Sequence, residues 1–324
     1  MKIMLVGFGR WGSNHLRILK MLNMDVYVVD SNEDSRKKAL ETGIPQSKIS
    51  DSYDSFLDEV DAVDVVTPAD THLEVCSAAF EKGKDVFVEK PLALNSGDCR
   101  KLCKMAEKDK KILQVGHVFR FDPATNFMVE KIKDGTLGEI KWMIGNFYGF
   151  KRPRMDAGVS WSDSLHYIDL FNFLLGKIPV KVLARMQDNL GRGMDDSSWI
   201  SLNYGDVDAE VRANYFRPKK KREVVIIGSD ATLECDFTSS QDKIKIYKNT
   251  HAKNENTWVA TQGEVLTQEI MQAEPLVLEL ESFIDCVKNR KKPLADGEDG
   301  YNVVKIIEAA YRSAKEGKLI NLEE

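Results

Sequence analysis

Met4-Leu5-Val6-Gly7-Phe8-Gly9-Arg10-Trp11-Gly12, then a helical pattern, then Val26-Tyr27-Val28-Val29-Asp30: this stretch decides the fold. An apolar run enters a glycine-rich turn, a helix leaves it, and a second apolar run ends on a carboxylate. Gly7 permits the tight turn, Gly9 lets the backbone approach a pyrophosphate, and Gly12 lets helix and strand pack closely. The helix aims its first N–H groups and the positive end of its dipole at the phosphates. Asp30 lies 18 residues after Gly12, where a carboxylate accepts hydrogen bonds from the adenosine ribose hydroxyls. Gly7, Phe8, Gly9, Arg10, Trp11, Gly12 and Asp30 are therefore expected to bind a dinucleotide. NAD is expected over NADP, because Asp30 repels a 2′-phosphate and Ser31-Asn32 offers no cation. Arg36, a turn further on, is the nearby exception.

Outward from this unit, apolar runs at 62–67, 85–88 and 112–116 alternate with amphipathic stretches at 72–82 and 96–109, the latter opening on Ser96 as a cap. Strands alternating with helices make a parallel sheet with helices on both faces. After about residue 118 the pattern changes. A helix over 123–134 and a long strand over 139–149 precede a helix over 162–175. Strands are then expected at 180–186, 198–204, 209–216, 223–228, 232–237, 243–247 and 257–261. Short Gly, Asp or Asn connections make this second sheet open and largely antiparallel. Helices over 276–289 and 299–315 close the chain. The expected organisation is α/β then α+β: a doubly wound dinucleotide-binding domain over 1–118 and a second domain over 119–324. The final helices are expected to pack back on the first.

Length and composition fit two domains of a soluble globular protein, and a formal net charge of −5 argues against a nucleic-acid binder. Lys219-Lys220-Lys221-Arg222 lies between two strand-like segments and reads as a solvated hairpin tip. Cys76, Cys99, Cys103, Cys235 and Cys286 are scattered without a CxxC pair, which fits a reducing compartment and argues against a disulfide framework or a metal cluster. The first strand begins at Lys2, leaving no room for a signal peptide, and no apolar run reaches membrane-spanning length. A cytoplasmic protein is expected, with no membrane partner.

Three segments stand at or just after ends of the parallel strands, where an open α/β sheet binds its ligand. They are Thr67-Pro68-Ala69-Asp70-Thr71-His72, Glu89-Lys90-Pro91, and Gly116-His117-Val118-Phe119-Arg120-Phe121. A charged pair at the end of a buried strand is costly unless paired or functional. A fixed turn at Pro91, where the peptide bond can be cis, would aim Lys90 at a set point. In the second domain, Ser162-Asp163-Ser164-Leu165-His166-Tyr167-Ile168-Asp169-Leu170 falls on a helix whose Leu165, Ile168 and Leu175 face a core. Asp163 and His166 share another face at i, i+3. An imidazole beside a carboxylate suits a general base near neutral pH, although a structural histidine shows the same spacing. Lys151-Arg152-Pro153-Arg154 either grips an anion or forms a solvated loop.

Together these segments resemble the glucose–fructose oxidoreductase / inositol dehydrogenase / rhizopine catabolism family over nearly the whole chain. Glu89-Lys90-Pro91 is the most specific of the shared motifs. The others are the glycine fingerprint, the Thr67-Pro68…His72 step, Gly116-His117…Arg120-Phe121, the His166 helix and the closing Phe283-Ile284…Pro293…Asp296-Gly297…Gly300. The resemblance implies a nicotinamide-binding Rossmann domain, a second domain on an open sheet, and hydride transfer at a sugar or cyclitol carbon. It also implies a homodimer or homotetramer formed through that sheet. Carried onto these motifs, Thr67, Pro68, His72, Glu89, Lys90 and His117 join the cofactor site. Lys90 stabilises the reacting oxygen, His166 relays the proton, and Asp163 assists as a third catalytic group. Lys90, Arg120, Lys151, Arg154, Asp163 and His166 form the expected substrate site, and no metal is expected. Many members carry an Asp four residues before the histidine. Here that place is Ser162 and the acid is Asp163, about 100° away on an ideal helix, so either Asp163 serves in its stead or the orienting carboxylate is missing. The tract 116–121 looks like that of members acting on UDP-N-acetylhexosamines, so the leading expectation is NAD-dependent oxidation of a nucleotide sugar at its 3-hydroxyl. The alternatives are a free-sugar or inositol dehydrogenase and, from another class, a non-catalytic dinucleotide-binding sensor.

Overall fold

The computed structural model of the chain describes residues 1–322. It divides into two compact units, Met1–Phe121 with Glu274–Lys305, and Asp122–Ala273 with the chain from Ile306. In the first unit β1 (Lys2–Val6), α1 (Arg10–Met21), β2 (Asp25–Val29), α2 (Glu33–Glu41), β3 (Ile49–Ser50), β4 (Ala62–Val65), α3 (His72–Glu81), β5 (Asp85–Val88), α4 (Ser96–Lys108) and β6 (Leu113–Val115) follow one another. The six strands form a parallel sheet in the order β3-β2-β1-β4-β5-β6. Strand order reverses between β1 and β4, and the crevice at such a switch point is where doubly wound sheets bind ligands.

Every residue of β4 and β5 is buried, as expected of strands covered on both faces. Such strands read as unbroken apolar runs, so Asp64 inside β4, with no exposure at all, stands out. Leu16, Ile18 and Leu19 of α1 pack with Ile3, Leu5, Val28 and Phe87 of the sheet and with Leu280 and Phe283 from the 274–305 segment. The cap of α4 is Asn95 rather than Ser96: the Asn95 side chain accepts the Asp98 N–H at 2.9 Å, because an amide oxygen one residue earlier reaches the third helical N–H.

The second unit holds α5 (Pro123–Lys133), β7 (Ile140–Tyr148), a π turn over Ser160–Ser164 leading into α6 (Leu165–Leu175), then β8 (Lys181–Gln187), β9 (Ser197–Asn203), β10 (Asp208–Asn214), β11 (Lys221–Gly228), β12 (Thr232–Asp236), β13 (Ile244–Tyr247), β14 (Thr250–Asn254), β15 (Thr257–Thr261) and β16 (Val265–Gln268). The chain closes with α7 (Pro275–Asn289), α8 (Gly297–Glu316) and β17 (Ile320–Asn321); the division between units falls within α8. Nine strands form a sheet in the order β16-β13-β12-β11-β7-β10-β9-β8-β17. β7 and β10 pair in parallel, and the other neighbours are antiparallel. Along β9 buried and half-buried residues alternate, the period-two signature of a sheet buried on one face.

Two expectations are corrected here. β10 and β11 are not hairpin partners; they flank β7 on opposite sides. The basic run is therefore not a hairpin tip, and its last two residues lie in β11 opposite Tyr148 and Phe147. Sequence adjacency suggested the hairpin, but β7, from much earlier in the chain, takes the place between them. The strand at 257–261 exists, yet it pairs with β14 in a separate two-stranded hairpin whose ten strand residues are all exposed. No helix among the described residues is long and apolar enough to cross a membrane.

Candidate functional site

The three fingerprint glycines have three different surroundings. Gly7 has a φ of +97°, and a Cβ there would lie 2.7 Å from the Val66 carbonyl oxygen, so both conformation and space exclude a side chain. A Cβ on Gly12 would stand 2.0 Å from the Gly7 carbonyl oxygen, the close helix–turn contact expected of this position. At Gly9 nothing lies within 4 Å of a Cβ. The main chain there, which is the N-cap of α1, faces open space, and that is what a pyrophosphate at a helix N-terminus needs. These residues fit a dinucleotide.

Asp30 ties the turn together. Its Oδ2 accepts the Phe8 N–H at 2.6 Å and its Oδ1 accepts the Asn32 N–H at 2.8 Å. A carboxylate holds about four lone-pair sites, so acceptor capacity is left for ribose hydroxyls. Arg36 directs Nη1 to the carbonyl oxygens of Asp30 and Ser31, each at 2.8 Å.

Beneath the turn lies a buried charged network. His15 on α1 donates Nδ1–H to Asp64 Oδ2 at 2.9 Å and Nε2–H to Glu89 Oε1 at 3.2 Å. The same Glu89 oxygen accepts the Trp11 indole N–H at 2.6 Å, while Oε2 accepts the Lys90 backbone N–H at 3.2 Å. Gly116, just after β6, leaves room for the Glu89 carboxylate: a Cβ there would stand 3.0 Å from Oε1 and press on it. Burial alone would lower the His15 pKa, but its carboxylate neighbours, Asp64 foremost, outweigh it and push the value up to about 10. Burial raises Asp64, with His15 opposing. For Glu89 burial also acts upward, and the hydrogen bond and charge of His15, joined by the Lys90 charge and the Trp11 N–H, more than reverse it, holding the carboxylate ionised.

A stability prediction follows. A histidine whose folded pKa exceeds its unfolded value of about 6.5 contributes stability below that pH and loses it as pH rises through the folded value near 10. The melting temperature should therefore fall between about pH 6.5 and 10, and His15→Gln should flatten that fall. Thermal melts of both proteins across this range check it; parallel slopes would contradict it.

At the neighbouring strand ends, His72 is buried, with Nδ1 2.9 Å from the Pro91 carbonyl oxygen and Nε2 3.0 Å from that of Thr67. Burial lowers its pKa. It is a strut between the β4 and β5 ends, with Thr71 Oγ1 bonding Thr67 Oγ1 and the Pro68 carbonyl. The Lys90–Pro91 bond is cis. Lys90 is half-buried, two residues beyond the four buried residues of β5 and next to buried Glu89. His117 is buried after Gly116. Arg120 is also buried, and its Nη1 donates to the Leu294 carbonyl at 2.7 Å and to Asp299 Oδ2 at 2.9 Å.

In the second unit His166 is the one residue between 162 and 172 that is not buried. Its ring stacks on Phe147 of β7, with centroids 5.7 Å apart and planes 14° from parallel. Asp163, 4 % exposed, pairs with Lys151 Nζ at 2.8 Å. The same ammonium lies 5.1 Å from the Tyr215 ring centroid and 5.5 Å from that of Phe147. Arg222 of β11 places its guanidinium 3.4 Å from the Phe147 centroid. Ser162 Oγ bonds Tyr215 Oη at 2.9 Å. The π turn carries Ser162 and Asp163, so the ideal-helix angle between them does not describe their directions; π turns recur at functional sites. Arg154 forms a two-point pair with Asp156, at 2.9 and 2.5 Å.

Sequence reasoning missed four residues. Asp64 is signalled only as one charge in an apolar strand, and His15 only by standing three residues past Gly12. Arg222 was absorbed into the basic run. Asp195, which accepts Ser160 N–H and Oγ–H at 2.8 and 2.7 Å and the Tyr311 hydroxyl, carries no local signal; it anchors the start of the π turn.

Comparison with known proteins agrees with this geometry. The family model described as "Oxidoreductase family, NAD-binding Rossmann fold" matches residues 1–117, and its companion, "Oxidoreductase family, C-terminal alpha/beta domain", matches residues 129–322. The chain is 26% identical to a UDP-N-acetylglucosamine 3-dehydrogenase of Acidithiobacillus ferrooxidans, covering 94% of each chain. It is likewise 26% identical to a myo-inositol 2-dehydrogenase of Thermotoga maritima, covering 100% of this chain and 99% of that one. Among solved structures, GenD2 from gentamicin A biosynthesis in complex with NAD superposes with a TM-score of 0.85 at 24% identity, over 99% of this chain and 96% of the other.

Proposed function

The chain belongs to the glucose–fructose oxidoreductase / inositol dehydrogenase / rhizopine catabolism family of oxidoreductases, and from that premise we propose that it oxidises a secondary alcohol of a nucleotide sugar with NAD, in the manner of a UDP-N-acetylglucosamine 3-dehydrogenase. The observation that carries the reading is Lys90, a half-buried lysine just past a fully buried strand, its backbone N–H anchored to Glu89. Such a group is suited to hydrogen-bond the substrate hydroxyl and stabilise the alkoxide that forms as its proton leaves. His166, half-exposed on an otherwise buried segment and oriented by Phe147, accepts or relays that proton. The nicotinamide supplies the hydride chemistry when bound. Thr67, Pro68, His72, Glu89 and His117 shape the cofactor-facing strand ends.

Asp163, paired with Lys151, serves in this reading as the counter-charge that holds the ammonium beside Phe147 and Tyr215. Lys151 and Arg222 are the cations we assign to the substrate's phosphates. Arg154 must leave Asp156 to join them, and Arg120, neutralised by Asp299, keeps a structural role. If the substrate carries UDP, the nucleotide alone should bind, and Arg222→Ala should weaken it at least about tenfold, since a charge-assisted contact contributes roughly 1.5–3 kcal/mol. Calorimetric titration with UDP tests this. No heat of binding would favour the free-sugar or inositol reading, which the full-length similarity to a myo-inositol dehydrogenase supports.

NAD is the proposed cofactor. Asp30 stands at the end of β2 with acceptor capacity for the ribose hydroxyls, and Arg36, the nearby cation, turns Nη1 to the carbonyl oxygens of Asp30 and Ser31. We expect NADH to bind at least about tenfold more tightly than NADPH, and Asp30→Asn, which keeps an acceptor but removes the charge, to narrow the gap. Equal dissociation constants in the parent would defeat this. A homodimer or homotetramer through the outer face of the nine-stranded sheet, in the cytoplasm, completes the proposal. Half-exposed Trp142 on β7 supports the first part, and five scattered cysteines support the second.

A further inference from the structure

We propose that His15 is a positioning residue: clamped by Asp64, it fixes Glu89 so that one carboxylate oxygen holds Trp11 at the dinucleotide turn while the other holds the main chain of Lys90. The proposal rests on the dehydrogenase reading for the role of Lys90, and on geometry for the rest. Trp11 is the second residue of α1, and Lys90 follows β5. Glu89 is the shared partner of both. Glu89 is nine-tenths buried and His15 wholly so, so neither is oriented by solvent. His15 is further fixed by edge contacts with the Trp11 and Phe87 rings, at 6.1 and 5.6 Å between centroids. The chain thereby ties the fingerprint turn to the reacting lysine through a single carboxylate.

The groups facing Glu89 define the test. His15 and Trp11 approach from α1, Asp64 lies behind His15 on β4, His72 acts on it electrostatically from α3, Lys90 follows in the chain, and the Gly116 backbone closes the β6 side. Of these, His15 makes the largest contribution to keeping Glu89 ionised, with the Lys90 charge and the Trp11 N–H adding to it. In His15→Gln the carboxylate loses that contribution, and burial then favours its protonated form. Relative to the parent, we expect the variant at about pH 6 to bind NADH roughly fivefold more weakly and to turn over at least tenfold more slowly, with both deficits shrinking to about threefold or less near pH 9. Asp64→Asn should show the opposite dependence. There His15 sheds its proton more readily, so the deficit grows as pH rises, and this second variant keeps the test open if His15→Gln does not fold.

NADH affinity is read from tryptophan fluorescence and needs no substrate. A parent that binds NADH without turning over any sugar would overturn the dehydrogenase reading and leave the positioning claim to be judged by affinity. A cooperatively melting His15→Gln protein whose deficit is the same at both pH values would assign His15 a merely structural role and overturn the proposal. A parent that binds no dinucleotide would overturn both.

Discussion

Lys90→Ala should lower turnover by on the order of 10²-fold or more while leaving dinucleotide affinity within about threefold of the parent, because one preorganised donor to a developing oxyanion contributes on that scale. The separation of the two effects is the point. Glu89 and the glycine turn stay in place when the Lys90 side chain is cut at Cβ, since Lys90 meets Glu89 through its backbone N–H. His166→Ala should produce a similar loss in turnover, as expected when a positioned acid–base group is removed. The Phe147 ring that orients the imidazole belongs to β7 and remains. Single-mutant kinetics beside NADH titration check both. Near-normal turnover in His166→Ala would return that residue to a packing role, and lost dinucleotide affinity in Lys90→Ala would show that the side chain serves binding more than chemistry.

Gly12→Ala should be the most damaging single methyl group in the first unit. The added carbon would stand 2.0 Å from the Gly7 carbonyl oxygen. That neighbour is main chain already constrained by a φ of +97° and by the Val66 carbonyl, so no side chain can swing aside. Overpacking of this kind costs roughly 1–3 kcal/mol. The helix N-terminus must shift away from the turn, which moves the N–H groups that face a pyrophosphate. We expect dinucleotide affinity to fall at least about tenfold and the melting temperature to drop by several degrees. Gly9→Ala is the control: its methyl group meets no protein atom within 4 Å, so stability should be kept while affinity falls. If Gly12→Ala binds NADH as the parent does, the close contact is not what shapes the site.

How much of this was legible beforehand depends on the range of the interaction. The fingerprint is local, and Gly7, Gly9 and Gly12 declare separate duties because turn geometry, ligand approach and helix packing each exclude a side chain for a different reason. Parallel strands at 62–65 and 85–88 are readable because burial on both faces leaves short, mostly apolar runs, with Asp64 the one charge inside the first. What stayed hidden is non-local. The insertion of β7 between β10 and β11 depends on pairing across more than sixty positions, and no turn residue reports it. The His15–Asp64–Glu89 network joins residues from α1, β4 and the position just after β5; Glu89 and Asp64 are each conspicuous as a charge in an apolar stretch, but nothing local shows that His15 joins them. Arg154 illustrates a competition: three cations within four residues suggested an anion grip, but Asp156, two residues on, takes the guanidinium. The π turn, finally, depends on an anchor at Asp195 that lies outside any helical count through 162–166.

The most direct test of the central claim is NADH formation, followed at 340 nm, when the protein and NAD are offered UDP-N-acetylglucosamine, other UDP-sugars, free hexoses and inositols. The expected result is turnover with a UDP-sugar well above that with the free sugars and inositols, lowered on the order of 10²-fold or more by Lys90→Ala. Turnover confined to a free sugar or an inositol would keep the dehydrogenase and contradict the nucleotide-sugar assignment. Tight NADH binding with no turnover on any of them would contradict the enzyme reading itself and leave a dinucleotide sensor.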